Sequence, residues 1–404
     1  MRSMTSTTRK TFTDAELDEV FTPIFERIAA GAVDREIDRR LPYDEVGWLK
    51  EKKFGALRVP VAHGGYGVSV RQLFRLLIDL AAAESNLPQA LRVHWSFVED
   101  QLLAEPGPVR DGWLRAVSDG TLVGNAITEP GVGAVDRYRT ALTPSGAAWA
   151  LNGVKYYSTG SLYADHILVA ADRDGERLGI LVDAGADGVR QNDDWDGFGQ
   201  RLTASGTTEF TDVAVTEDRI LGPGYGVAGV TYATSYLQLV QLAVLAGIAQ
   251  RAERDAKEYV EARTRTYTHG AADLPRQDPL VQQVIGRLSA ATFSARASVL
   301  AVADVLDAAL ADGAKDEKAI IAAELAAGRA QLAVIDTVLA ATTQLFELGG
   351  ASIVSERLRL DRHWRNARTI SVHNPAIFKA RSIGDHLLNG ADLPFGWSAG
   401  ERKS

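Results

Sequence analysis

Three long stretches with helical periodicity dominate the second half of this chain and most constrain its fold. Helices of this length need partners, because each has an apolar face to bury along its whole length. The pattern therefore predicts an antiparallel helical bundle. The stretches cover residues 231–266, 279–311 and 316–348.

The first hundred residues also have helical periodicity. Thr13 and Glu16 have the spacing of a capping box ahead of an apolar stripe, which predicts the start of the first helix there. Pro23 leaves a second possibility open, because proline favours the first turn and the helix would then begin at Thr22. Further helices are predicted for residues 41–53, 70–83 and 88–103.

Beyond residue 121, short strand-like runs with glycine-containing turns replace the helical pattern, which predicts a middle β domain. Its strands are expected at residues 140–142, 149–151, 166–171, 178–182 and 207–215. We therefore predict three domains. These are an N-terminal helical domain at 1–120, a β domain at 121–225 and a C-terminal helical bundle at 226–404.

Composition excludes several classes of function. The 404 residues carry a net charge of −8, which argues against nucleic acid as a partner. The chain has no cysteine, so disulfides, thiolate metal sites and cysteine nucleophiles are excluded. The spacing of its seven histidines predicts no metal site. The N-terminus lacks the apolar core of a signal peptide, so the cytoplasm is the expected compartment.

Residues 220–250 contain no charged side chain, which raises the question of a membrane span. Pro223, four glycines before Val230 and three glutamines interrupt the apolar run, so we predict a glycine linker followed by a buried helix, and no membrane partner. Residues 224–229 within the linker match a dinucleotide fingerprint only weakly, because no βαβ unit surrounds them.

A basic cluster lies near the C-terminus. Residues 356–381 contain seven lysines or arginines and two acids, a local charge of +5 in an acidic chain. Such a cluster indicates an anionic ligand, and a solvated helix face or a subunit contact is the alternative. The basic residues are Arg357, Arg359, Arg362, Arg365, Arg368, Lys379 and Arg381.

The same stretch resembles the C-terminal signature of flavin monooxygenases built on the acyl-CoA dehydrogenase fold, the group of dibenzothiophene, sulfone and amine oxygenases. The residues that carry the resemblance are Trp364-Arg365-Asn366-Ala367-Arg368-Thr369, His373-Asn374-Pro375, Gly384-Asp385 and Asn389-Gly390. The resemblance implies a mainly α fold with an N-terminal α domain, a middle β-barrel-like domain and a C-terminal four-helix bundle. It also implies a homotetramer.

Two motifs of the β domain resemble the loops that border the flavin in this family. They read Gly-Asn-Ala-Ile-Thr-Glu-Pro-Gly-Val-Gly at 124–133 and Asn-Gly-Val-Lys-Tyr-Tyr-Ser-Thr-Gly-Ser at 152–161. The resemblance implies that Thr128, Tyr157 and Thr159 bind the flavin, and that Asn125 and Ser158 hydrogen-bond its oxygen adduct. A plain strand end and turn is the alternative for the first motif.

A third loop, at 192–201, resembles the segment over the family's substrate pocket. The resemblance places Trp195 in the wall of a mostly apolar pocket together with Tyr157, although a tryptophan in a β domain is also typical of simple core packing.

Two histidines are candidates for proton transfer, because an imidazole titrates near neutral pH. The resemblance implies that His373 and His94 face the flavin and control protons there. For His94, on a predicted helix, a satisfied interior histidine is the alternative.

The segment Arg263-Thr264-Arg265-Thr266-Tyr267-Thr268-His269-Gly270 keeps arginines and lacks the Phe-Gly pair of FAD-binding dehydrogenases. This departure favours FMN over FAD, with Arg263 and Arg368 as ligands of its phosphate. FAD remains the alternative cofactor.

The resemblance implies a two-component monooxygenase. Such an enzyme takes reduced FMN from a separate NAD(P)H:flavin reductase, forms a C4a-hydroperoxyflavin with O₂ and oxygenates sulfur or nitrogen in a small organic substrate. An FAD-dependent acyl-CoA dehydrogenase is the first alternative, with Glu356 after Gly349-Gly350 as its base. A non-catalytic flavin or ligand carrier is the second.

Overall fold

Seven helices form the N-terminal region of the computed structural model, which describes residues 12–130, 138–146, 148–223 and 229–396. They are α1 (Asp14–Ala30), α2 (Ala32–Asp38), α3 (Tyr43–Glu51), α4 (Val70–Ala83), α5 (Asn86–Ala90), α6 (Arg92–Leu103) and α7 (Pro108–Ser118). The linker motif at 224–228 and Gly131 to Gly133 of the first β-domain motif lie outside the described residues.

The predicted capping box of α1 is confirmed. The Thr13 hydroxyl accepts a hydrogen bond from the backbone N–H of Glu16, and the Glu16 carboxylate accepts one from the N–H of Thr13. Because both N–H groups are satisfied there, the helix begins at Asp14, and the alternative start at Thr22 is wrong. Pro23 lies inside the helix.

The predicted helix at 88–103 is in fact two helices. The chain leaves helical geometry at Leu91, which separates α5 from α6. This break presents the Ala90 carbonyl oxygen to Gly160 of the β domain, where a Cβ atom would overlap it. The interruption therefore serves a contact between domains.

The middle of the chain forms one sheet in which β6, β7, β3, β2, β4, β5 and β8 lie side by side, while β1 pairs with β4 in parallel. The five predicted strand runs are confirmed as β2 to β5 and β7. Strand β1 was not predicted, because Val-Gly-Asn-Ala is buried on both faces and has no alternation. The strands are β1 (Val123–Ala126), β2 (Ala141–Ser145), β3 (Ala148–Lys155), β4 (His166–Arg173), β5 (Glu176–Asp183), β6 (Val189–Gln191), β7 (Thr208–Val215) and β8 (Ile220–Pro223).

The C-terminal region is the expected helical bundle. Its helices are α8 (Ala233–Glu261), α9 (Pro279–Leu310), α10 (Glu317–Gln344), α11 (Asp361–Ser371) and α12 (Ala376–Asn389). Helix α8 is the central one and contacts α4, α9, α10 and α11. By length and composition α8 could cross a membrane, but 89% of its most apolar window is buried inside the protein, as predicted for a core helix.

Two glycines with positive φ provide a matched test of how the β domain is held against α5. Gly160 (φ 78°) faces the Ala90 carbonyl, whereas a Cβ at Gly146 (φ 62°) meets nothing within 4 Å. We expect Gly146→Ala to lower the free energy of unfolding by about 1–2 kcal/mol, the usual penalty of left-handed backbone. Gly160→Ala adds a steric overlap with backbone, and the total loss should reach about 3 kcal/mol or more.

Urea unfolding of the two variants measures this difference. Equal losses at both positions would show that the Ala90 contact adds nothing to stability.

Candidate active site

Two loops of the β domain form one side of the candidate site. We call residues 157–160 and 200–206 the site loops. Backbone hydrogen bonds join them, from Ser158 N–H to the Gly206 carbonyl (3.0 Å) and from Gly160 N–H to the Thr203 carbonyl (2.9 Å). The end of β1 is tied to the first loop, because Asn125 N–H donates to the Thr159 carbonyl (3.2 Å).

Three non-glycine residues in the site loops have left-handed backbone. Tyr157 has φ 57°, and Gln200 and Ala204 both have φ 51°. Each such residue costs on the order of 1–3 kcal/mol, and conformations of this kind cluster at functional sites. The surrounding hydrogen bonds hold the loops in a shape that the local sequence does not favour.

The hydroxyl that the first site loop offers to a ligand belongs to Thr159. Its side chain is partly exposed, and its Oγ1 lies 2.8 Å from Ser205 Oγ, which in turn lies 2.7 Å from Thr203 Oγ1. This run of three hydroxyls was not predicted, although Ser205 belongs to the loop region that the family resemblance singled out.

Ser158 points the other way. Its side chain has no exposed surface, and its hydroxyl has no hydrogen-bond partner in the part of the chain that the structure describes. Its neighbours differ, because Tyr157 is exposed and Thr159 is partly exposed. The prediction that Ser158 hydrogen-bonds a flavin adduct stays a prediction.

Asn125 offers an unused acceptor at the edge of the site loops. Its Nδ2 donates to the Tyr157 carbonyl (3.1 Å), which leaves Oδ1 pointing elsewhere. This oxygen is buried and accepts no hydrogen bond from any described residue. Because an unpaired buried acceptor costs about 1–3 kcal/mol, Asn125 fits a ligand that brings an N–H group.

Tyr157 and Trp195 form an aromatic wall beside these groups. Tyr157 is 49% exposed, and the two rings meet edge to face with centroids 5.8 Å apart. The Trp195 indole N–H donates to the carbonyls of Gly199 and Gln200, which fixes the ring. The structure thus brings together the two residues predicted to line a pocket, and the exposed Tyr157 ring can pack against a planar ligand.

Thr128 lies at the end of the same region. Its backbone carbonyl accepts a hydrogen bond from Tyr156 N–H (2.8 Å), and its side chain is exposed. The prediction that Thr128 binds the cofactor stays a prediction.

His94 is an interior histidine. It has no exposed surface, its Nε2 lies 2.9 Å from the Gly55 carbonyl, and its Nδ1 accepts a hydrogen bond from Val123 N–H. Burial lowers its pKa to about 4, against a smaller opposing effect of the hydrogen bond to Gly55. Both ring nitrogens are occupied and the ring is neutral at pH 7, which is typical of an interior histidine, and the proton-transfer role of His94 stays a prediction.

His373 lies in the turn between α11 and α12 and is exposed. Its Nδ1 lies 3.2 Å from Asn374 Oδ1, and its Nε2 has no partner among the described residues. Burial by the protein packed around the ring lowers the pKa of His373, and the positive charge of Arg92 lowers it further. The ring surface is open to solvent. Even without burial, the positive charge of Arg92 lowers the pKa of His373, so the imidazole is neutral at pH 7.

One short segment of chain connects His373 to the site loops. Ala90 packs against Gly160, and Arg92, two residues later, is close enough to His373 to affect its pKa. Two residues of backbone span at most about 7 Å. The α5–α6 junction thus lies between the first site loop and the turn that carries His373.

Helix α11 holds the second site loop in place. Asn366 Oδ1 accepts a hydrogen bond from Gln200 N–H (2.6 Å), and Asn366 Nδ2 donates to Ser85 Oγ (3.1 Å). Arg365 donates to the Phe198 carbonyl (2.8 Å), and Trp364 stacks on the Phe198 ring. The Trp-Arg-Asn motif is thus a clamp on the loop.

The basic cluster is largely neutralised inside the protein. Arg362 pairs with Asp255 (2.6 Å), Arg365 with Glu36 (2.7 Å) and Lys379 with Glu324 (2.6 Å). These acids come from outside the cluster, so three of its seven basic side chains are neutralised within the protein, and an anionic ligand for the others stays a prediction. Arg368 is exposed and forms no ion pair within the described residues, which leaves it available for a phosphate.

Arg263 lies beyond the C-terminal end of α8, far from Asn374. Asn374 contacts Gln241 in the first half of α8. The rise of the helix between Gln241 and Glu261 is about 30 Å. The Arg263 guanidinium donates to Tyr259, the Gly349 carbonyl and Ser352. The phosphate contact of Arg263 stays a prediction.

Glu356 and His373 lie beyond opposite ends of α11. Glu356 is exposed and lies six residues before Arg362, which contacts Asp255 on α8. Asn374 contacts α8 at Gln241, and the helix rises about 20 Å between Gln241 and Asp255. The segment that carries Glu356 is thus separated from the turn that carries His373 and Asn374.

Comparisons with known proteins identify the domains that form the site. The acyl-CoA dehydrogenase middle domain matches residues 124–213 and the acyl-CoA dehydrogenase C-terminal domain matches 239–376. The chain is 27% identical to dibenzothiophene monooxygenase of Mycolicibacterium goodii, over 83% of this chain and 84% of that protein.

It is also 27% identical to a probable FMNH2-dependent monooxygenase, SfnC, of Pseudomonas putida, over 90% of this chain and 92% of that protein. The crystal structure of FMN-bound TdsC from Paenibacillus sp. A11-2 matches with a TM-score of 0.85 and 27% identity. That match covers 94% of this chain and 99% of TdsC.

The neutral burial of His94 makes stability depend on pH. Its folded-state pKa of about 4 lies below the ordinary value of 6.5, so the unfolded chain takes up the proton first and acid favours unfolding. When the pH falls from 7 to 5, His94 should lower the free energy of unfolding by about 2 kcal/mol. His94→Gln keeps a donor and an acceptor but does not titrate. The free energy of unfolding of this variant should therefore fall by about 2 kcal/mol less than that of the natural protein over the same interval.

Urea unfolding at the two pH values measures the effect, with His269→Gln at an exposed position as the control. If His94→Gln and the control show the same pH dependence, His94 is not the group responsible.

Proposed function

We propose that this chain, which belongs to the flavin monooxygenases with the acyl-CoA dehydrogenase fold, uses reduced FMN and O₂ to oxygenate the sulfur or nitrogen atom of a small organic compound. The observation that supports the proposal is an exposed imidazole at His373, in the turn that directly follows α11, the helix that holds the second site loop. Proton abstraction next to a thioester needs a carboxylate, whereas oxygen transfer needs a group that holds a proton near the reacting oxygen.

The residues of the site loops fit a flavin ring. The buried Asn125 Oδ1 needs an N–H donor, the Thr159 hydroxyl is partly exposed, and the Tyr157 ring offers a flat surface. Bound reduced FMN supplies the electrons that activate O₂, of which one atom goes to the substrate and the other to water. The sequence analysis predicted a two-component enzyme that uses reduced FMN and O₂, and this route is part of the proposal.

His373 acts as the proton-handling residue in this scheme. A neutral imidazole both accepts and returns a proton, and its location in a turn exposes Nε2 to a ligand. The Tyr157–Trp195 wall excludes water on one side, which protects a reactive oxygen species from collapse to hydrogen peroxide.

Arg368 is our candidate for the phosphate of FMN within one chain, since its guanidinium is exposed on the helix that clamps the site loops. Arg263 contacts a flavin only if that flavin is bound by a second copy of the chain. Exposed apolar side chains on α9 and α12 support self-association, in agreement with the predicted homotetramer. They include Leu280, Phe293, Ile377, Phe378 and Leu388, which are between 65% and 85% exposed.

A separate flavin reductase is the partner that this proposal requires, because the chain must receive FMN already reduced. Sulfur compounds are the first substrates to test, since dibenzothiophene monooxygenase is named for one.

With chemically reduced FMN, the protein should consume O₂ and oxygenate a thioether, and His373→Gln should release most of the O₂ as hydrogen peroxide. The loss of product should be about 100-fold or more, because positioned proton transfer contributes on the order of 10²–10⁴-fold. Oxygen uptake, peroxide and product are measured together, with His269→Gln as the control. An undiminished yield from His373→Gln would refute the role given to this imidazole.

Flavin binding tests Arg368 separately. Loss of a charge-assisted contact to phosphate should raise the Kd for FMN by about 10- to 100-fold in Arg368→Ala, corresponding to about 1.5–3 kcal/mol. Arg381→Ala is the matched control, because Arg381 belongs to the same basic cluster and is also exposed. Fluorescence titration with FMN measures both, and equal affinities for the two variants would remove Arg368 from the site.

A further inference from the structure

The side-chain amide of Asn374 connects His373 to the inside of the helical bundle. Asn374 Oδ1 lies 3.2 Å from His373 Nδ1. On its other side, Asn374 Nδ2 donates to Gln238 Oε1 (2.7 Å) and to Gln241 Oε1 (3.3 Å). Both glutamines are on α8, so one amide bridges the turn after α11 and the central helix.

These contacts fix which end of the Asn374 amide faces the histidine. Gln238 and Gln241 are 5% and 1% exposed, and both direct an oxygen at the same nitrogen. With both glutamine oxygens directed at Nδ2, the oxygen of the Asn374 amide is the end that faces His373. The buried Gln331 adds a hydrogen bond from its Nε2 to the Asn374 backbone carbonyl (2.8 Å).

The orientation of the amide determines the tautomer of His373. An amide oxygen only accepts hydrogen bonds, so His373 Nδ1 must carry the hydrogen. A neutral imidazole has one N–H, and Nε2 is then left with a lone pair. Nε2 is also the ring nitrogen that has no partner among the described residues, and the ring itself is exposed.

We propose that Asn374 is a positioning residue that holds His373 as its Nδ1–H tautomer, so that Nε2 is the atom that accepts and returns the proton of the reaction. The role of this arrangement in proton transfer rests on the proposed function. The tautomer itself is a property of the protein without flavin. In water, no such selection acts on a free imidazole.

The test is 15N NMR of the flavin-free protein labelled at histidine, in which the two ring nitrogens report directly which one is protonated. His373→Gln identifies the His373 signals. We expect a protonated Nδ1 and an unprotonated Nε2 in the natural protein at pH 7. Asn374→Leu should shift the population toward the Nε2–H form, while Asn374→Asp, which still accepts at Nδ1, should keep the Nδ1–H form.

Gln331→Leu is the matched control, because Gln331 bonds the Asn374 backbone and not its side chain. It should leave the His373 signals unchanged. A protonated Nε2 in the natural protein would overturn the inference, as would an unchanged tautomer in Asn374→Leu or a loss of the Nδ1–H form in Asn374→Asp. If Asn374→Leu does not fold, the natural protein and Asn374→Asp still decide the question.

A second measurement connects the tautomer to turnover. With reduced FMN and a thioether, Asn374→Leu should lose about tenfold or more of the product formed per O₂ consumed, part of the contribution of positioned proton transfer. Asn374→Asp should retain more of the yield than Asn374→Leu. Should the natural protein form no product at all, the proposed function fails while the NMR result stands on its own.

Discussion

Two asparagines from different helical regions satisfy backbone N–H groups of the same β-domain loop, and the arrangement of the site depends on this constraint. Asn86 accepts from Leu202 N–H, and Asn366 accepts from Gln200 N–H. A loop between helices and sheet carries backbone donors that no regular ladder satisfies, so side chains must do it. The N-terminal region, the β domain and the bundle therefore meet at residues 200–202.

Buried charges support both asparagines. Arg35 bonds Glu84, and Glu84 in turn accepts from Asn86 Nδ2 (2.6 Å). Asn366 lies on α11, which Asp255 anchors through Arg362 and His363. Although burial alone raises the pKa of Asp255, the hydrogen bond from His363 and the Arg362 charge hold that pKa well below its ordinary range. Charges near the site thus serve mainly to position polar side chains that carry no net charge.

Much of the fold could be predicted from the sequence, because capping and periodicity are local signals. The helix at Val70–Ala83 agrees with prediction to the residue, and five strands lie where alternation indicated them. Side-chain direction at the site could not be predicted from the sequence. Ser158 and His94 are both buried, and no local pattern distinguishes inward from outward at those positions.

Distance along the bundle could not be predicted either. Arg263 and Glu356 lie near plausible motifs, but their positions relative to Asn374 depend on how a central helix of 29 residues packs. Sequence reasoning also missed the amides around Asn374, because Gln238, Gln241 and Gln331 have no motif spacing and become related only when α8 and α10 pack.

The contact between Asn366 and Ser85 joins residues that are 281 positions apart. Closing so large a segment of chain costs considerable entropy before any contact is gained, so such pairings form late during folding. On the ribosome, residues 200–206 lack one of their two asparagine partners until residue 366 has been synthesised. The loop therefore reaches its final arrangement only after α11 has formed and packed against it.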